Sequence, residues 1–414
     1  MSRVSEITNI FDAFKNVNVL IIGDAMIDRY VYGSISRMSP EAPVPVFDII
    51  SSEDCLGGAA NVALNVKKLG GTPIIVSIVG NDEDGQKMLK LLHQHDIYST
   101  GITLAEGRKT TVKTRMISDG KHVYRLDHEM RHGIDERFEI ALIDSTVDLI
   151  DTNKPNVILL QDYNKGVLTN RIIKNLIHIG HELKIPIVVD PKIENFFDYQ
   201  GCTLFKPNLR EASDSLGRDL SNASEAEIRQ AATEIRQRLN CAYTILTLSE
   251  KGMLIDEEGD SMFMPAYQRN VADVSGAGDT VISVLAMGLA LGLDMFATTE
   301  LANIAGGLVC EKVGVRPLEA EELIAEAERI MSMDEEEETQ QQPPPPTRQE
   351  VTPPPPIPKT QSQIPQERIQ QQSIPQEPYL KTPTKQEKTM LPPLDDTPKN
   401  PDREKTSLPP LTKD

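Results

Sequence analysis

A parallel α/β sheet with helices on both faces is the fold class this sequence predicts. Two observations carry it. Short, near-continuous apolar runs recur through the first 310 residues, and segments with helical spacing separate them. A strand buried on both faces reads as an unbroken apolar run, so the alternation of the two patterns points to crossover units. In such a sheet, ligands are expected at the carboxyl ends of the strands.

The elements follow in order. NVLIIG at 18–23 reads as a buried strand, and Ala59 to Leu69 as a helix stopped by Gly70–Gly71. PIIVSIVG at 73–80 is the next strand and Asp84 to His93 the next helix. Strands continue with NVILLQD at 156–162, PIVVD at 186–190, TLFKPN at 203–208 and YTILTLS at 243–249. Helical spacing occupies 169–182 and 224–238 between them. Two segments break the pattern. Residues 29–50 hold β-like runs around a proline-rich turn, and TTVKTRMISDGKHVYRL at 110–126 has two such runs around Asp119–Gly120, a strong hairpin signal. They read either as a small accessory sheet beside the main one or as two surface hairpins.

Composition divides the chain. Nineteen of the 29 prolines and most glutamine runs fall after residue 333. Residues 1–333 read as one large folded domain. Residues 334–414 are too poor in apolar groups to offset their ordering entropy, and read as a disordered Pro/Gln-rich tail with polyproline character and no identifiable partner. The chain carries a net charge of −19, of which the tail's 10 basic and 14 acidic residues account for −4. Such a field repels a phosphate backbone and argues against nucleic-acid binding, though not against a local cationic pocket. The first residues lack the pattern of a signal peptide. The longest apolar stretch, Val281 to Leu293, is too short to span a bilayer, so no membrane association is expected. Cys55, Cys202, Cys241 and Cys310 show no metal or redox spacing and fit a reducing cytoplasm.

Three motifs carry chemistry. In DVSGAGDT at 273–280, Gly276, Ala277 and Gly278 lead into a long apolar helix that starts near Asp279. Free amides and the helix dipole favour an anion there. Asp279 suits a helix cap, and it equally suits a general base in phosphoryl transfer. No P-loop Lys-Ser/Thr motif exists in the chain. In LGGAANVALNVKKLG at 56–70, Gly57 and Gly58 permit close backbone approach, and the Asn61 amide can cap the helix or grip sugar hydroxyls. In IIGDAMID at 21–28, Asp24 and Asp28 follow a buried strand, where sugar-gripping carboxylates or solvated turn acids would lie.

With these motifs in this order, residues 1–330 resemble the ribokinase-type (PfkB) carbohydrate kinases. GGAANVALNVKKLG is similar to the family's first signature and DVSGAGDT to its second. The resemblance implies a ribokinase-like three-layer α/β/α sandwich with a small β-sheet lid, ATP as phosphoryl donor and Mg²⁺. It leaves a monovalent-cation requirement open. It assigns Asp279 as base, with the amides of Gly276, Ala277 and Gly278 around the transferring phosphoryl group. KPNLREA at 206–212 implies Asn208 on the nucleotide side and Glu211 as an outer-shell Mg²⁺ partner through water. TLSEKGM at 247–253 implies Thr247, Ser249 and Gly252 near ribose and phosphates, and Asn303 matches a position at the adenine.

Further stretches resemble the members of that family that act on D-glycero-β-D-manno-heptose 7-phosphate. They are GDAMIDRYVYGSISRMSPEAPVPV, KTRMISDGKHVYRLDHE, QDYNKGVL and VVDPK. They add Lys113, Arg115, Arg125, Asp162, Lys165 and Lys192 to Asp28, Gly57, Gly58 and Asn61 as substrate-binding positions. The cations suit a substrate that already carries a phosphate. In the resembling kinases the lid strands also pair subunits, which implies a homodimer. Many of those proteins carry an adenylyltransferase domain with an HxGH motif. None occurs here, so a separate protein is expected to perform that step. Two alternatives stand beside this reading: a related kinase for another sugar phosphate or a nucleoside, and a weakly active scaffold that works through the proline-rich tail.

Overall fold

In the computed structural model, the backbone of residues 3–341 and the side chains of 7–333 are described. The chain opens with α1 (Arg3–Phe14), β1 (Asn18–Gly23), β2 (Ala25–Met38), β3 (Pro45–Gly58), α2 (Ala59–Lys68), β4 (Thr72–Gly80), α3 (Glu83–Gln94) and β5 (Gly101–Ala105). It continues through β6 (Thr111–Ser118), β7 (Lys121–His128), α4 (Glu136–Asn153), β8 (Val157–Gln161), α5 (Asn170–Leu183), β9 (Ile187–Asp190) and β10 (Leu204–Phe205). It ends with α6 (Leu209–Leu216), α7 (Glu225–Leu239), β11 (Tyr243–Thr247), β12 (Met253–Glu257), β13 (Asp260–Met264), α8 (Ala277–Ala290), α9 (Met295–Cys310) and α10 (Ala320–Gln341).

Nine strands form the main sheet in the order β13-β12-β11-β10-β9-β8-β1-β4-β5. All neighbours run parallel except in the β11-β12-β13 meander at one edge. Successive side chains of a strand point to opposite faces, and β1 shows the consequence. Val19 and Ile21 pack with Val62 of α2 and Val284 of α8, whereas Leu20 and Ile22 pack with Leu142 of α4, Ile173 of α5 and Ile235 of α7. Two cores flank one sheet, which makes the three-layer α/β/α sandwich expected from the pattern of apolar runs.

The second sheet has four strands in the order β3-β2-β6-β7. It is larger than the two segments 29–50 and 110–126 suggested. Its strands β2 and β3 pair from Ala25↔Gly58 to Met38↔Pro45, so the lid begins almost where β1 ends. Asp119 and Gly120 both take positive φ (51° and 72°), as a two-residue hairpin turn requires. TLFKPN contributes only Leu204–Phe205 to the sheet. Its Asn208 leaves the strand to cap α6, accepting from the Glu211 amide while the Glu211 carboxylate accepts from the Asn208 amide. Helix α10 continues past Met333 to Gln341, and the rest of the expected tail, 342–414, lies outside the described residues. Among the described residues, no helix is long and apolar enough to cross a membrane.

Candidate active site

The carboxyl ends of β1, β8, β9 and β10 meet the entrance of α8 beneath the lid. Gly276 caps α8 with φ 86°, a left-handed turn that glycine adopts without steric cost. A Cβ at this position would also come within 3.2 Å of Asn61 Nδ2. The turn leaves the first amides of α8 unpaired within the helix, and places Asp279 in its first turn.

Asp279 is buried and fully engaged. Asn61 Nδ2 donates to its Oδ2 at 2.7 Å, while Tyr163 OH and Gln161 Nε2 donate to Oδ1 at 2.7 and 3.2 Å. Burial pushes the carboxyl up to about 6, and Asp190 and Asp28 push the same way, while the Asn61 and Tyr163 donors pull it down. A carboxylate of this kind is poised to take a proton near neutral pH.

Asp24 closes the floor. Its carboxylate accepts the amides of Tyr163, Lys165 and Val167 at 2.8, 3.0 and 3.1 Å. These bonds fold the segment after β8 into a tight loop, with Asn164 and Gly166 at positive φ (52° and 86°). The loop presents Tyr163 to Asp279. Burial raises Asp24 to about 6, with Asp162 adding repulsion and the three amides opposing it.

Cations gather on the lid side. Asp28 of β2 pairs with Arg115 of β6. Lys113 lies over the Tyr163 ring at 4.6 Å, and Lys192 lies over the same ring at 5.3 Å. Burial lowers the Lys113 ammonium. Lys165 pairs with Glu129 at 2.8 Å. Gly57 leaves room for Asp28, since a Cβ there would stand 2.3 Å from Asp28 Oδ2. Gly58 takes φ 57° and carries the chain from β3 into α2. Two expected positions sit apart. Arg125 is exposed on β7 and pairs with Asp127 of its own strand. The Asp162 carboxylate turns away to accept from Tyr199 OH at 2.7 Å and Asn195 Nδ2 at 3.1 Å, so it holds the scaffold.

On the other side of α8 a cavity of about 900 Å³ opens. Thr247, Ser249, Gly252 and Asn303 line it together with Ala277 and Gly278, so the glycine loop forms its inner wall. Asn303 Nδ2 donates to the Pro265 carbonyl at 2.8 Å. Asn208 stands outside this lining and bridges to Thr247. Both Glu211 carboxylate oxygens are taken, one by the Asn208 amide at 2.9 Å and one by Lys192.

Four residues at the centre had no assigned role from sequence: Gln161, Tyr163, Asp190 and Lys206. Gln161 Nε2 bridges Asp279 and Asp190, and Lys206 Nζ lies 3.2 Å from Asp190 Oδ1. Gln161 and Asp190 end strands, Lys206 directly follows one and Tyr163 lies two positions past β8, and that placement was the available signal.

Fold and cleft together describe a kinase of small molecules. The pfkB family carbohydrate kinase model matches residues 17–321, and the chain belongs to that family of ATP-dependent sugar kinases. The chain is 37% identical over 320 residues to the bifunctional protein HldE of Syntrophotalea carbinolica, covering 77% of this chain and 64% of that one. It is 38% identical over 317 residues to the bifunctional protein HldE of Caulobacter sp. strain K31, covering 76% and 64%. The chain thus spans just under two thirds of the length of these curated relatives. Among solved structures it is similar in fold to phosphofructokinase-2 from Escherichia coli in complex with potassium, with a TM-score of 0.61, 18% identity and coverage of 75% and 98%.

Proposed function

We propose that this kinase transfers the γ-phosphoryl group of ATP to the anomeric hydroxyl of D-glycero-β-D-manno-heptose 7-phosphate, giving the 1,7-bisphosphate. The observation that carries this reading is the buried Asp279 at the glycine loop, with Lys113 and Lys192 flanking Tyr163 beside it. The carboxylate suits a hydroxyl acceptor, and the ammonium groups suit a substrate that already bears a phosphate.

In this mechanism the anomeric hydroxyl gives its proton to Asp279 as its oxygen bonds to phosphorus. The bond from phosphorus to the β–γ bridging oxygen breaks, and its electron pair leaves with ADP. Amides of Gly276, Ala277 and Gly278 stabilise the transferring group. Asp28 and Asn61 orient the sugar, and the lid sheet excludes water. Arg115 and Lys165 complete the cationic side, whereas Arg125, exposed and paired with Asp127, stands apart from it. Thr247, Ser249, Gly252, Asn208 and Asn303 serve the nucleotide. Among the described residues no group of three or more His, Cys, Asp or Glu side chains could cage a metal. Glu211, held by Lys192 and the Asn208 amide, would support Mg²⁺ through water, and the ion would offset phosphate charge. Ile49, Tyr124 and Leu126 expose 68%, 51% and 58% of their surface on the outward face of the lid, which supports a homodimer through these strands. The reading places the enzyme in the cytoplasm, with residues 334–414 apart from the chemistry. Phosphorus NMR of the product tests the regiochemistry: a new phosphate coupled to the anomeric proton is expected, and a phosphate at any other carbon contradicts the assignment.

A further inference from the structure

The base already carries a hydroxyl group in this structure, and that hydroxyl belongs to the protein. Three donors engage the Asp279 carboxylate: Asn61 Nδ2 on Oδ2 at 2.7 Å, and Gln161 Nε2 and Tyr163 OH on Oδ1 at 3.2 and 2.7 Å. A carboxylate oxygen offers about two acceptor positions, so Oδ1 is filled. The donors are not equally fixed. Asn61 is 1% exposed in the first turn of α2. Gln161 is 0% exposed at the end of β8, and its Nε2 is shared with Asp190 Oδ2 at 3.1 Å. Tyr163 alone of the three is half-buried and lies on a loop.

The contacts that hold Tyr163 against Asp279 are sensitive to phosphate. Asp24 pins its backbone by accepting from the Tyr163 amide at 2.8 Å, so the side chain is the part free to turn. Lys113 and Lys192 lie over its ring at 4.6 and 5.3 Å, and Lys192 is also paired with Glu211. An ammonium group binds a phosphate more strongly than an aromatic face. A phosphorylated acceptor that draws on these ammonium groups therefore loosens the ring just as its own hydroxyl needs Oδ1. Water leaves the ring held.

We propose that Tyr163 is a specificity-determining residue, whose hydroxyl stands in for the acceptor on Asp279 until a sugar phosphate displaces it, and so keeps the base from activating water. The proposal rests on the phosphoryl-transfer reading above, with Asp279 as base, but not on the identity of the sugar. The reaction it suppresses is hydrolysis of ATP. There the water oxygen bonds to the γ-phosphorus and a water proton goes to Asp279. The bond from phosphorus to the β–γ bridging oxygen breaks, its electron pair leaves with ADP, and orthophosphate forms. Tyr163 keeps its own proton throughout, because burial and the neighbouring Asp279 hold its phenol well above the ordinary value.

The test is release of orthophosphate from ATP with no sugar present. It compares the unaltered enzyme with Tyr163→Phe, Tyr163→Ala and the double variant Tyr163→Phe/Asp279→Asn. Tyr163→Phe keeps the ring under the two lysines and removes only the hydroxyl. Expected for it is hydrolysis at least about tenfold faster than in the unaltered enzyme, because a general base is freed to act on water. Tyr163→Ala should gain at least as much, which covers the case of a bare ring that still shields Oδ1. The double variant should return to the low rate. Loss of structure lowers a rate and does not produce such a gain. The proposal is overturned if neither single variant exceeds the unaltered rate by more than about threefold. If the double variant keeps the fast hydrolysis, Asp279 is not the base, and the proposal falls together with the reading beneath it. The assay contains no sugar, so a wrong substrate assignment changes neither result.

Discussion

Asn61 and Asp279 stand 218 positions apart in the chain, yet Asn61 Nδ2 donates to Asp279 Oδ2 across 2.7 Å. The bond joins the first turn of α2 to the first turn of α8 and fixes the base against the glycine loop. It also gives Asn61 a function that its sugar-binding assignment omits, because a donor to the charged carboxylate favours ionisation. Asn61→Ala should therefore move the acidic limb of the kcat/KM profile upward from about pH 6, and Tyr163→Phe should do the same. Profiles recorded between pH 5 and 9 check this; an unmoved limb in both variants means that another group titrates.

Removing the carboxylate itself should separate activity from stability. Asp279→Asn should lower kcat by about 10²–10⁴-fold, the cost of losing a general base. The folded protein holds this carboxyl at about 6, above its ordinary value of 3.8. Its protonated form thus favours the fold, and that contribution is full below 3.8 and lost as pH rises through about 6. Asp279→Asn should accordingly raise the melting temperature at pH 7 and leave it nearly unchanged at pH 4. A variant less stable than its parent at pH 7 would show that the carboxylate holds α8 in place.

Much of this site was legible in the sequence, for physical reasons. A glycine loop before an apolar helix has few structural uses, so Gly276–Gly278 and Asp279 stood out. The same holds for Gly57, Gly58 and Asn61 at the start of α2. Less legible were Gln161, Tyr163, Asp190 and Lys206, because an isolated polar residue at a strand end looks alike whether it faces a cleft or solvent. Asp162 illustrates the ambiguity: one position after Gln161, its side chain turns to Tyr199 and away from the base. The lid's extent was also hidden. The alternation that marks a half-buried strand fades where Met26, Ile27 and Tyr30 of β2 are all buried between lid and body.

Gly57→Ala should act on the sugar side alone. Its methyl group would stand 2.3 Å from Asp28 Oδ2, so Asp28 must move. A displacement of this size in a positioning group should raise the sugar KM by about tenfold or more. The KM for ATP should change little, because the nucleotide cavity lies on the other side of α8. Steady-state kinetics with each substrate varied in turn provide the check, and equal changes in both constants would contradict it.

Truncation after Gln341 should leave kcat/KM and melting temperature nearly unchanged. The removed segment holds all 19 prolines of the expected tail, and proline disrupts helix and sheet hydrogen bonding. A tenfold loss of activity would assign the segment a role in the enzyme.

The substrate assignment is tested most directly by ADP release in a coupled assay. The panel contains D-glycero-β-D-manno-heptose 7-phosphate, the same heptose without phosphate, other sugar phosphates and nucleosides. Fastest turnover is expected with the heptose 7-phosphate, at a kcat/KM at least about 10²-fold above that of the unphosphorylated sugar, because the sugar without phosphate forgoes the charge-assisted contacts with Lys113 and Lys192. Equal turnover of the two heptoses, or preference for a nucleoside, would contradict it.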